Sequence, residues 1–140
     1  MIRHFKLVIW IFVSDDFDVK RLTKEAIEQT SGDVPKNDNV NFLQCALANS
    51  LNTRRFLIVL DDMWDGNELD WKRFCAPFRN ALKGSMMLVT TRSPKIADVV
   101  RTMDPFPLEG LKEDVFRKFL SSVCLGLIAP TLIQSWNGLV

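Results

Sequence analysis

Three apolar runs, each stopped by polar turn residues, set the rhythm of the chain. Leu7-Val8-Ile9-Trp10-Ile11-Phe12-Val13 is unbroken and rich in β-branched and aromatic side chains, and Ser14-Asp15-Asp16 ends it. Such a run predicts a strand covered on both faces, as in a parallel sheet. Phe56-Leu57-Ile58-Val59-Leu60 repeats the pattern and stops at Asp61-Asp62; Met86-Met87-Leu88-Val89-Thr90-Thr91 repeats it again and stops at Arg92. Between these runs the apolar period lengthens to that of helices. Asp18 is placed to cap a helix with Val19, Leu22, Ala26 and Ile27 on one stripe, and Ser31-Gly32-Asp33-Val34-Pro35 ends it.

A second helix is expected from near Asn41, where Asn41 and Gln44 have capping-box spacing and Leu43, Ala46, Leu47 and Leu51 face inward. Trp71, Phe74, Cys75 and Phe78 predict a third helix, broken near its end by Pro77. Ser93-Pro94 opens a fourth, with Ile96, Val99, Val100 and Met103 inward. A short fourth strand through Phe106 and Leu108 and a last helix carrying Val115, Phe116, Phe119 and Leu120 complete the reading; Gly126 to Val140 has no clear period. Strands alternating with helices at this spacing pair in parallel through right-handed crossovers, which makes an α/β layered fold.

Composition narrows the function. The 18 basic and 17 acidic residues nearly balance, and no basic cluster provides a footprint for nucleic acid. Cys45, Cys75 and Cys124 are widely spaced, the chain's single histidine is His4, and no zinc-ligand spacing occurs. Reduced, buried thiols in a cytoplasmic protein are expected. Arg3, His4 and Lys6 before the first apolar run imitate a secretion signal, but acids follow the run directly. No run approaches the roughly twenty apolar residues of a membrane span.

In open parallel sheets ligands bind beyond the carboxyl ends of the strands, so the residues closing each run carry the candidate chemistry. Asp61 and Asp62 suit a magnesium nucleotide: one carboxylate holds the metal through water, and the next polarises an attacking water. Taken alone, four apolar residues and two acids more often mark a capped turn. Paired acids also occur in receiver domains of signalling pathways, but there they follow the first strand and a lysine follows the last, which Pro107 to Gly110 does not supply. Thr90, Thr91 and Arg92 end the next strand with hydroxyls and a guanidinium able to sense a terminal phosphate, or with a solvated arginine at a helix start. Trp64 and Trp71 flank the acidic turn as packing anchors.

The blocks around these residues resemble the NB-ARC domain of plant disease-resistance proteins of the coiled-coil NBS-LRR class. KLVIWIFVSDDFDVKRLTKEAIE (6–28) is similar to the block after the P-loop, RFLIVLDDMWDGNELDW (55–71) to the kinase-2 or Walker B block, GSMMLVTTRSPKIADVV (84–100) to the sensor block, and PFPLEGLKEDVFRKFL (105–120) to the lead into the helical ARC subdomain. The resemblance implies a three-layer parallel sheet of the P-loop NTPase type, incomplete because the P-loop strand is absent. It divides the chain into a partial nucleotide-binding subdomain at 1–110, the start of the ARC subdomain at 111–125 and a divergent tail at 126–140.

The resemblance also implies ADP or ATP with Mg2+ as ligand. Asp61 becomes the metal-side acid, Asp62 the candidate catalytic acid, and Thr91 and Arg92 nucleotide contacts, with Arg92 facing the γ-phosphate. The implied role is a switch in defence signalling, with protein partners such as the rest of a resistance protein or a full-length relative. No G-x-x-x-x-G-K-[ST] occurs, and the GLPLA block, the MHD histidine and leucine-rich repeats are missing. Losing three charge-assisted hydrogen bonds from a P-loop weakens binding by roughly 5 kcal/mol, enough to take a micromolar site past millimolar. Weak or absent nucleotide affinity, and no turnover, are therefore expected. The competing expectation is a degenerate fragment that acts as a protein-interaction module.

Overall fold

The computed structural model of the chain describes residues 4–13 and 16–128. Ser14 and Asp15 of the first expected turn, and most of the tail, lie outside them. The chain divides into two compact units, Met1–Pro105 and Phe106–Val140.

In the first unit three strands, β1 (Leu7–Phe12), β2 (Phe56–Asp61) and β3 (Met86–Val89), form a parallel sheet in the order β1-β2-β3. Ile9 lies opposite Ile58 and Ile11 opposite Leu60; Ile58 then lies opposite Met87 and Leu60 opposite Val89. Because strand side chains alternate, these residues share one face. That face carries the core. Ile9, Ile11, Val13, Phe56, Ile58 and Leu60 are buried there with Leu22, Ala26 and Ile27 of α1 (Val19–Ser31), Leu43, Leu47 and Leu51 of α2 (Val40–Leu51), and Phe74 of α3 (Glu68–Cys75). Each such side chain contributes about 1.5–3 kcal/mol when fully buried.

The α/β class and parallel sheet agree with the sequence reading, but the expectation that the strands are covered on both faces does not hold. Val8, Trp10 and Phe12 of β1 and Met86 and Leu88 of β3 stay exposed, Trp10 at 57%. Chain direction explains this. Each successive strand adds on the same side of its predecessor, so right-handed crossovers carry α1, α2 and α3 over the same face.

Asp18 caps α1 as expected, its carboxylate accepting from the amides of Lys20 and Arg21, and Gly32 ends the helix in the left-handed conformation (φ 80°). Gln29 of α1 turns back to the outer edge of β1. Its carbonyl accepts from the Trp10 amide at 2.9 Å, and its NH2 donates to the Trp10 carbonyl at 2.7 Å. A side chain thus satisfies part of the backbone that an edge strand leaves open.

Several local expectations are corrected. The cap of α2 is Asn39, two residues before the expected start, and Gln44 donates instead to the Arg73 carbonyl. Cys45 is exposed because it lies about 200° around α2 from Leu43. Cys75 is half-buried, and burial pushes its thiol up to about 11, which keeps it protonated and unreactive. The fourth helix, α4 (Pro94–Val100), buries Ile96 but ends before Met103, which is 79% exposed.

In the second unit no strand forms through Phe106 and Leu108. Pro105 and Pro107 remove two of the amides a ladder would use. The final helix, α5, runs from Glu113 to Ile128.

Two outcomes follow from this packing. Leu47→Ala removes a fully buried side chain and lowers unfolding free energy by about 2–5 kcal/mol in a denaturant titration. Between α1 and α2, Asp38 accepts from Lys20 at 2.6 Å and also pairs with Lys24; these two lysines, Lys20 first, lower its carboxyl from 3.8 to about 2. A lowered folded-state value stabilises above the unfolded one, so this contribution is present above pH 4 and lost as pH falls toward 2. Asp38→Asn flattens that part of the stability-versus-pH curve in a series of acid titrations.

Candidate functional site

The carboxyl ends of β2 and β3 bring the sequence-selected residues together. The ladder that pairs Leu60 with Val89 brings Asp61 level with Thr90. Backbone bonds fix this level, from the Thr90 amide to the Leu60 carbonyl and from the Met63 amide to the Thr90 carbonyl, each 2.9 Å. Between them Asp62 takes φ 55°, a left-handed conformation uncommon for a residue with a side chain.

The Thr90 hydroxyl joins the two acids. It donates to Asp61 Oδ1 at 2.6 Å and accepts from the Asp62 amide at 2.9 Å. Asp61 is thereby held in one orientation at the end of the open sheet face, since it shares that face with Leu57 and Val59 by strand alternation. The sequence offered both hydroxyls, and the resemblance assigned nucleotide contact to Thr91; it is Thr90 that meets the acids. The parallel register was the missing signal: only one of two adjacent threonines can face the acid. Thr91 turns the other way, its hydroxyl donating to the Met63 carbonyl at 2.7 Å and accepting from the Ser93 amide at 3.0 Å.

Arg92 meets Asp62. Its Nε and a terminal nitrogen approach the two carboxylate oxygens at 3.2 and 3.1 Å, a two-pronged pair. The Arg92 guanidinium also stacks 3.8 Å above the Trp64 ring. A hydrogen bond from the Trp64 side chain, and after it Arg92, hold the Asp62 carboxyl below the usual carboxylate value. Asp62 is therefore ionised at neutral pH. Trp64 corrects the packing assignment: it is 47% exposed and supports a cation, whereas Trp71 does pack, against Phe17 and Phe74.

A concavity of about 520 Å3 lies elsewhere, at the amino ends of α1, α2 and α3, lined in part by Asp18, Lys20 and Asp70. Those groups already serve the fold: Asp18 caps α1, Lys20 pairs with Asp38, and Asp70 pairs with Arg73. The strand-end cluster is open to solvent, with the Arg92 side chain 67% exposed. Among the described residues no group of three His, Cys, Asp or Glu side chains is arranged to hold a metal ion alone, and no helix is long and apolar enough to cross a membrane.

Comparison with known proteins places these residues in a family. The family model for the NB-ARC domain matches residues 1–125. The disease resistance protein RGA2 of Solanum bulbocastanum is 36% identical over 112 residues, covering 79% of this chain and 12% of that protein. The disease susceptibility protein LOV1 of Arabidopsis thaliana is 37% identical over 94 residues, 65% of this chain and 10% of that protein. The chain thus spans about an eighth or less of the length of these relatives, which are much larger proteins. Its parallel α/β sheet, its strand-end acids and arginine, and a family match over most of its length agree: the chain belongs to the NB-ARC domain family of plant disease resistance proteins.

Proposed function

We propose that this chain is the Walker B and sensor portion of an ADP/ATP-binding switch within a plant disease resistance protein. The observation that carries the reading is the convergence of Asp61, Asp62, Thr90 and Arg92 at the carboxyl ends of two adjacent parallel strands, the place where open α/β sheets bind ligands. Asp61 is the magnesium-side acid. A carboxylate oriented by a neighbouring hydroxyl is a hard oxygen donor that fits a hydrated Mg2+, which takes few protein ligands and keeps several waters. When bound, the metal neutralises phosphate charge. The chain's own part is to hold the Asp61 carboxylate still, to present the ionised Asp62 where a water can be oriented, and to supply the Arg92 guanidinium to a terminal phosphate. Thr91 shapes the turn that carries Arg92, and its hydroxyl reaches nucleotide by releasing the Met63 carbonyl.

The remaining assignments belong to the same proposal. Residues 1–110 form the nucleotide-binding part, α5 begins the helical ARC subdomain, residues 126–140 are a divergent tail, and the protein works in the cytoplasm. A second reading, a protein-interaction module without nucleotide, is favoured by one observation, the exposed apolar sheet face of Val8, Trp10, Phe12, Met86 and Leu88. Its partner would be the rest of a resistance protein.

Calorimetric titration of the folded chain with Mg-ADP and Mg-ATP, to millimolar concentration, separates the two. Under the nucleotide reading heat is released, and Asp61→Ala weakens the magnesium-dependent affinity about tenfold, or about 1.4 kcal/mol. Absence of heat from both nucleotides, or equal affinity in Asp61→Ala, leaves the interaction reading in possession.

A further inference from the structure

The residue assigned to the terminal phosphate is already occupied. Arg92 has both carboxylate oxygens of Asp62 at 3.1–3.2 Å and the Trp64 ring beneath it at 3.8 Å. A carboxylate gripped through two parallel N–H donors presents the same charge and nearly the same oxygen spacing as one edge of a phosphate. Asp62 therefore takes the place of the ligand.

The backbone is arranged for this. At φ 55° Asp62 leaves the path of β2, so Asp61 and Asp62 do not both follow the strand alternation. Thr90 holds the Asp62 amide while turning its own proton to Asp61. One hydroxyl thus separates the two acids, with Asp61 kept from the arginine and Asp62 delivered to it.

We propose that Asp62 and Trp64 form a clasp that holds Arg92 in the ligand-free chain, and that Asp62 competes with a terminal phosphate for this guanidinium. The inference rests on Arg92 as the phosphate-sensing residue and adds what sets its sensitivity. A ligand ending in a phosphate that reaches Arg92 must displace Asp62. Shorter ligands leave the clasp closed. Trp64 acts as a positioning residue: its ring face keeps the guanidinium within reach of the carboxylate and holds the cation in place when the carboxylate leaves. The Arg92 side chain is two-thirds exposed, so water and salt screen the pair and the competition is moderate.

The test follows the Arg92 Nε–H signal by 15N NMR in the folded chain, assigned with Arg92→Lys, while inorganic pyrophosphate is added at constant ionic strength. Asp62→Asn removes the charge and keeps a residue that tolerates the left-handed conformation. Its pyrophosphate midpoint is expected about tenfold lower than wild type. Trp64→Leu removes both the ring beneath the guanidinium and the side-chain hydrogen bond to Asp62, and shifts the signal of the ligand-free chain toward that of Asp62→Asn; Trp64→Phe, which keeps a ring but cannot donate that hydrogen bond, lies between Trp64→Leu and wild type. Equal midpoints in wild type and Asp62→Asn, including no response in either, overturn the clasp. An unchanged signal in Trp64→Leu overturns the part given to the tryptophan. Mg-ATP added to the same samples keeps the two proposals apart. If Asp62→Asn lowers the pyrophosphate midpoint and Mg-ATP binds no better than pyrophosphate, the clasp stands and the nucleotide reading fails.

Discussion

The constraint on which the rest depends is that all three strands run parallel and are added in one lateral direction. Parallel neighbours need long crossovers, and crossovers of fixed hand over strands laid in the order β1-β2-β3 place every connecting helix on one face. The core on that side is complete, from Ile9 and Ile58 through Leu47 to Phe74. The same rule gathers the three carboxyl ends on one edge, where the acids and the arginine meet. Trp10, Phe12 and Leu88 are left bare on the other face by the rule that builds the site.

The strands, their order of appearance and the acids at their ends were legible because a run of apolar residues and its polar stop are local signals. The cap at Asp18 was legible for the same reason. Whether a run is covered on both faces is not local: β1 reads as a doubly buried strand, and half of its side chains are exposed because no helix among the described residues of its unit crosses that face. The strand expected through Phe106 failed because its apolar residues alternate with prolines that cannot donate to a ladder. Asn39 outcompeted Asn41 as the α2 cap because the helix begins where a side-chain oxygen can reach two amides, and Asn39 Oδ1 accepts from the amides of both Asn41 and Phe42.

At the strand ends, residue type was legible in the sequence and side-chain direction was not. Asp61, Asp62 and Arg92 stood out because charge directly after an apolar run is conspicuous. Thr90 and Thr91 both stood out as strand-end hydroxyls, but adjacent identical residues can be told apart only by strand register. Trp64 was hidden by its own hydrophobicity, which suggested a packing role; the ring serves Arg92 because the turn around Asp62 holds it outside the core. Side-chain chemistry was readable from sequence, whereas side-chain direction came from a ladder and one unusual dihedral angle.

That dihedral angle has an energetic consequence. A non-glycine residue in the left-handed region costs of order 1–3 kcal/mol unless its surroundings impose it, and an aspartate is among the residues that bear it best. Here the surroundings do impose it. The Asp62 amide is held by Thr90, the Met63 amide is held by the Thr90 carbonyl, and the Met63 side chain is fully buried. Backbone and core thus fix the turn, and the carboxylate of Asp62 is free to change partners without refolding it. A switch residue needs that separation: strain carried by groups that do not move, and a charged side chain on an exposed rim whose pairing is weak enough to be exchanged.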